Sequence, residues 1–264
     1  MIVVTDAERP ELAKRGDPLS LEVWPEYNRN GDVMNENWRF LHELFPEFQF
    51  VLYDQEADEV LAQGHSVPLV WDGTVEGLPA GIDGVLPGAV VLRRSGGEAN
   101  TLCAMAVEIS PSAQGRGLSR VMLEAMAGIA RAHGFADLIA PVRPSWKERY
   151  PLTPIERYTS WRRQDGLAFD PWIRVHERIG GEILKPEPES LRITGTVAEW
   201  EGWTGIAFPE SGEYVFPNGL ATLEVDEGEG RYWEPNVWMR HAVSAAASAS
   251  RARPGASPGR RRRG

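Results

Sequence analysis

The stretch from Thr101 to Val142 restricts the fold of this chain more than any other. It opens with "TLCAMAVEIS", a nearly continuous apolar run that reads as a central strand covered on both faces. From Leu118 to His133, Leu118, Val121, Met122, Ala125, Met126 and Ile129 form one apolar stripe at helical spacing, and Gly134 supplies the stop. "ADLIAPV" follows as a short apolar strand. A strand, a helix and a strand in this order form a right-handed crossover between parallel strands, so the class is α/β.

The turn inside this unit is the informative part. Gly115 and Gly117 flank Arg116 immediately before the helix. Glycine costs order there unless the backbone must approach something closely. The first free amides of a helix favour an anion, and a guanidinium adds to that preference. A plain strand-to-helix connection accounts for the glycines alone equally well. Two other phosphate motifs fail. No lysine followed by serine or threonine ends the loop, and Arg120 stands where a dinucleotide fingerprint needs its third glycine.

The rest of the chain surrounds that unit. "LSLEVWPEYN" and "NENWRFLHELFPEF" read as helical pieces; "FQFVLYD" and "VLAQGHSVPLVW" read as a hairpin across the turn "QEADE"; "GTVEGLPAGIDGVLPG" reads as a loop. Residues 144–169 mix prolines, aromatics and arginines. "DPWIRVHERIGGEI" then reads as a short helix opened by Asp170 and Pro171. Beyond it, residues 190–241 alternate in the manner of strands, "SLRITGTVAEWEGWTG" included. The expected organisation is one domain over 1–241 and a disordered arginine-rich tail over 242–264. That tail takes six of the chain's 28 basic residues and none of its 38 acidic ones. The strongly acidic remainder argues against a folded nucleic-acid-binding domain, leaving only the tail for such a role.

Composition removes other classes. No apolar run approaches the ~20 residues of a membrane span, and no basic leader precedes an apolar core, so a cytoplasmic protein is expected. A single cysteine, Cys103, excludes internal disulfides and multi-cysteine metal sites. His65, His133 and His241 lack ligand spacing, so no metal is expected.

The run Gln114-Gly115-Arg116-Gly117-Leu118-Ser119, placed after a strand and opening a helix, resembles the signature of the GNAT superfamily of acyl-CoA-dependent N-acyltransferases. Ser119 stands where that family usually has glycine or alanine. "HERIGGEI" is similar to a later family segment, with His176 at a position where tyrosine is usual. The order of elements from roughly Phe48 to His241 also matches, with 144–169 as an insertion. The resemblance implies a mixed, mostly antiparallel sheet with a central splayed parallel strand pair flanked by helices. It implies acetyl-CoA, or another acyl-CoA, as cosubstrate, held by Val107, Ile109, Gln114, Gly115, Arg116, Gly117, Leu118 and Ser119. It further implies direct acyl transfer to an amine acceptor of unknown identity.

His176 is then the candidate proton donor to the departing thiolate, with Tyr150 and Tyr158 as substitutes. Trp146, Trp161 and Arg162 are candidates for an acceptor pocket. Because an alkylamine holds its proton more tightly than a thiol, a base matters more than an acid. Glu108 is the only carboxylate on the central strand, but alternation turns it away from Val107 and Ile109, which favours a surface or ion-paired role. Cys103 reads as apolar filler. A non-catalytic acyl-CoA sensor or scaffold on the same fold is the alternative. The sequence does not reveal the oligomeric state.

Overall fold

The computed structural model describes residues 1–243. Its nine-stranded sheet consists of β1 (Ile2–Thr5), β2 (Phe50–Asp54), β3 (Glu59–Leu69), β4 (Thr101–Ile109), β5 (Asp137–Val142), β6 (Glu182–Thr196), β7 (Gly212–Tyr214), β8 (Leu223–Asp226) and β9 (Glu229–Ala242). The order is β1-β2-β3-β4-β5-β9-β8-β7, with β6 on the other side of β9. Every pairing is antiparallel except β4 with β5.

The parallel pair is brief. Thr101, Leu102 and Cys103 pair with Asp137, Leu138 and Ile139, and beyond them the two strands have no ladder. A bulge accompanies the parting: His65 opposes Ala106 and Ser66 opposes Ala104, so Met105 has no partner on β3. A residue extra to one strand bends it and increases its twist. On the far side of the gap, β9 pairs with β8 through residue 231 and with β5 from Val237. Between these stretches one side of β9 carries no strand. The unladdered stretch of β9 therefore begins where β5 ends, next to the parted strands.

Nine helices cover the sheet: α1 (Pro10–Gly16), α2 (Pro18–Val23), α3 (Met34–Asn37), α4 (Phe40–Leu44), α5 (Val85–Ser95), α6 (Leu118–Ala132), α7 (Ile155–Thr159), α8 (Pro171–Arg178) and α9 (Val197–Thr204), counted among the described residues. The expected apolar stripe of α6 is only partly sealed. Leu118, Met122, Met126 and Ala130 are buried, as is Leu123, while Val121, Ala125 and Ile129 lie at the margin. Asp170 caps α8 by accepting from the amides of Trp172 and Ile173.

Several local expectations are corrected. The supposed loop after Gly73 ends in α5, whose apolar Val85, Leu86, Ala89 and Val90 are buried. The alternating run after Thr194 turns into α9, because Thr196 and Glu199 form a reciprocal capping box that starts a helix there. The N-terminal segment contributes an edge strand, β1, that propensity alone did not mark. Ala242 pairs with Asp137 and Val243 is buried, so the sheet claims the first two residues assigned to the tail. The remainder of that tail lies outside the described residues.

Candidate active site

A cavity of about 870 Å³ occupies the gap. Its wall includes Ala104 to Ile109 of β4, Ala140 to Val142 of β5, and Glu234 and Asn236 from the unladdered stretch of β9. It extends from the start of α6 to the N-terminal segment that contains α2, α3 and the short 3-10 turn Glu26–Asn30.

At the α6 end the wall is mostly backbone. Gln114, Gly115, Gly117, Leu118, Ser119 and Arg120 line it. Gly115 and Gly117 have φ of 75° and 76°, the left-handed region that other residues enter at a cost, and Gly117 is the N-cap of α6. A Cβ at either position would meet nothing within 4 Å. Packing therefore does not require these glycines; the turn and the open space beside it do. No side chain caps α6, so its first amides remain free for an anion. A pyrophosphate fits this cradle on geometry and on charge.

The other end is built from side chains. Glu108 is fully buried on the cavity wall. Its carboxylate accepts from Ser20 Oγ at 2.9 and 3.0 Å, from Trp24 Nε1 at 2.5 Å and from Gln63 Nε2. None of these donors is a cation. Glu234 is buried as well, but Arg143 Nε donates to it at 2.8 Å, with Asn28 Nδ2 at 2.7 Å and the hydroxyls of Tyr27 and Tyr232 at 3.1 and 3.2 Å. Burial opposes the Arg143 charge, yet Glu234 and Tyr27 beside it hold that guanidinium above the ordinary arginine value. Two sheet carboxylates thus fasten the N-terminal segment, one through Ser20 and Trp24, the other through Tyr27 and Asn28. Arg29 also lines the cavity, and its Nε is buried with no hydrogen-bond partner.

His176 lines the cavity from α8, beside Trp172. Its Nδ1 stands 2.8 Å from Nε2 of His241, and its own Nε2 is buried and unpartnered. Burial, reinforced by the neighbouring imidazole, pushes His176 down to about 3; burial lowers His241 to about 4. A ring so disposed is neutral at pH 7. It is a poor reservoir for the proton a thiolate would need.

The expected cosubstrate residues come together, with one exception. Val107, Ile109, Gln114, Gly115, Gly117, Leu118 and Ser119 all line the cavity, whereas Arg116 is exposed and does not. Arg120, one turn on, takes that place. The expected proton donors and pocket residues of the insertion are not on the wall. Tyr150, Tyr158, Trp161 and Phe169 pack on one another with ring centroids 5.0 to 6.2 Å apart. Trp146 joins them against Phe169. Tyr158 donates to Asp170 at 2.7 Å, and burial and that carboxylate push its hydroxyl well above the ordinary tyrosine range. Arg162 donates to the carbonyl of Thr159 and faces Glu177. The insertion's aromatics are an extension of the main hydrophobic core, pinned to the cap of α8.

Glu108 does point away from Val107, as alternation requires, toward α2 rather than toward solvent or a cation. Arg29, Arg143, Glu234 and Asn236 were not anticipated. They gather from distant parts of the chain, and no local pattern announces them. Among the described residues no group of three or more His, Cys, Asp or Glu side chains could hold a metal ion, and no helix is long and apolar enough to cross a membrane.

No protein-family model matches the chain. Its sequence is 28% identical over 272 residues to the arginine N-acetyltransferase avaD of Aspergillus versicolor, covering 90% of this chain and 93% of that protein. Its fold is similar to the loading GNATL domain of CurA from Lyngbya majuscula, with a TM-score of 0.60 at 18% identity over 92% of this chain and 97% of that one. It is also similar to the GphF GNAT-like decarboxylase in complex with isobutyryl-CoA, with a TM-score of 0.59 at 14% identity over 92% of this chain and 100% of that one.

Proposed function

We propose that this chain is an acyl-CoA-dependent N-acyltransferase of the GNAT superfamily, and that it acetylates the amine of a small polar molecule held between the β4–β5 gap and the N-terminal segment. The observation that carries this reading is Glu108, a buried carboxylate on the cavity wall that receives neutral donors and no cation. An amine arrives in water as an ammonium ion and must lose a proton before it can attack. Glu108 attracts that cation and accepts its proton, directly or through a water. The fold alone does not select amine chemistry, since one protein of similar fold is a GNAT-like decarboxylase. The sequence relative, named for arginine, supports a small amine acceptor.

The remaining work falls to the backbone. The cradle at Gly115 and Gly117 takes the pyrophosphate, with Arg120 beside it. Beyond Cys103 the edge of β4 facing β5 has no ladder, so its amides and carbonyls are free to pair with the pantetheine arm and to stabilise charge at the thioester oxygen. Transfer is direct, because Cys103 is fully buried and burial pushes its thiol up, far from a nucleophilic thiolate. His176 contributes as a neutral hydrogen-bonding group, and the thiolate leaves without a dedicated acid because a thiol's pKa, about 8.5, is already close to neutral.

Thiol release from acetyl-CoA, measured with a panel of small amines that includes arginine, tests the reading. Release that depends on the amine, with an N-acetylated product by mass spectrometry, is the expected result. Tight acetyl-CoA binding with no amine-dependent release would instead indicate the sensor.

A further inference from the structure

The charges on the cavity wall do not all cancel. Arg120 pairs with Glu124 at 2.8 Å, and Arg143 pairs with Glu234 at 2.8 Å. His176 is neutral. Glu108 has no cationic partner, and Arg29 forms no ion pair among the described residues while its Nε lies buried and unpartnered. One negative and one positive group are thus left without counter-charges on the same wall. They are also mechanically linked. Trp24 donates to Glu108, and Arg29 follows five residues later in the same N-terminal segment, whose Asn28 is anchored to Glu234.

We infer that the acceptor is a zwitterion of the amino-acid type, with its carboxylate on Arg29 and its amine toward Glu108. This deepens the acetyl-transfer reading and rests on it for the identity of the pocket. A buried guanidinium donor without a partner carries a desolvation cost that a carboxylate would relieve through a charge-assisted, two-point contact. An acceptor with an amine alone would leave Arg29 unmatched and would add positive charge near it. The coenzyme's phosphates are the other anions available, but the uncapped amides at the start of α6 already provide for them.

Calorimetry on the protein loaded with coenzyme A tests this without turnover, using L-arginine and L-arginine amide as probes. Removing the carboxylate should weaken binding by about 10- to 100-fold. Arg29→Ala should abolish most of that difference, Arg29→Lys should retain part of it, and coenzyme A itself should bind each variant as it binds wild type. Equal binding of acid and amide to wild type, or binding of neither, overturns the inference, and that comparison does not depend on any variant folding. A loss of coenzyme A affinity in Arg29→Ala overturns it too, by assigning Arg29 to a phosphate. Preference for the acid without any thiol release from acetyl-CoA would uphold the zwitterion site and reject acetyl transfer.

Discussion

The two ends of the cavity are built on different principles. The cradle at α6 uses backbone amides and two glycines within one loop, and its specificity is for charge. The acceptor end uses side chains drawn from α2, the Glu26–Asn30 turn, β4, β9 and α8, and its specificity is for arrangement. A backbone site is fixed by local conformation and stands or falls at one residue. A side-chain site is fixed by packing, so its parts fail by degrees.

The sharpest way to break the first end is Gly117→Glu. The left-handed φ strains any side chain, and a carboxylate would sit where an anion should bind. Acetyl-CoA affinity should fall by about 100-fold or more, read by calorimetry, with melting little changed because the position is open to space. Undiminished affinity would show that the cradle holds nothing. The corresponding break at the second end is Glu108→Gln. Acetyl transfer to an amine should slow by about 10²- to 10⁴-fold while acetyl-CoA binds normally. Because an amide nitrogen cannot accept from Trp24, Ser20 and Gln63 as both carboxylate oxygens do, about 1–3 kcal/mol of stability should go as well. A rate close to wild type would remove Glu108 from the chemistry.

The difference also explains what the sequence reveals. Strand, glycine turn, amphipathic helix and strand are contiguous, so local rules recover the crossover, the cradle and the cap at Asp170. Arg116 misleads because one turn of helix decides which arginine faces the gap, and a loop residue carries no periodicity. Aromatics of the insertion, plausible as pocket lining from composition, satisfy one another instead. Tyr27 and Glu234 meet only through tertiary structure, and nothing near either residue in the sequence points to the other. Helix α9 was legible in principle, since Thr196 and Glu199 spell a capping box, but the surrounding alternation spoke for a strand.

Acidity should separate the two ends further. His65 at about 3, His176 at about 3 and His241 at about 4 are held neutral by burial, and none belongs to the cradle. Below the unfolded value of about 6.5 the unfolded chain binds protons that the folded one refuses, so stability is lost as pH falls toward 4, by about 1.4 kcal/mol per unit for each histidine. His42, raised by Asp6, has the opposite sign and gains as pH falls, which offsets part of the loss. Denaturant unfolding at pH 7 and pH 5 should differ by on the order of 4 kcal/mol. Stability unchanged across that window would mean these rings are not buried neutral. The smallest effect is expected at Arg116→Ala, within about 1 kcal/mol of wild-type acetyl-CoA affinity, and Arg120→Ala should exceed it.

The hydrogen bond from Tyr27 to Glu234 spans 207 residues of sequence, and that from Asn28 spans 206. A chain made from its N-terminus therefore completes the α6 cradle with the second half of the sheet still to come, whereas the acceptor chamber cannot exist until β9 has arrived. Closing so long a loop is slow and late. In order of synthesis, the residues of the cradle come first and those that complete the acceptor chamber come last.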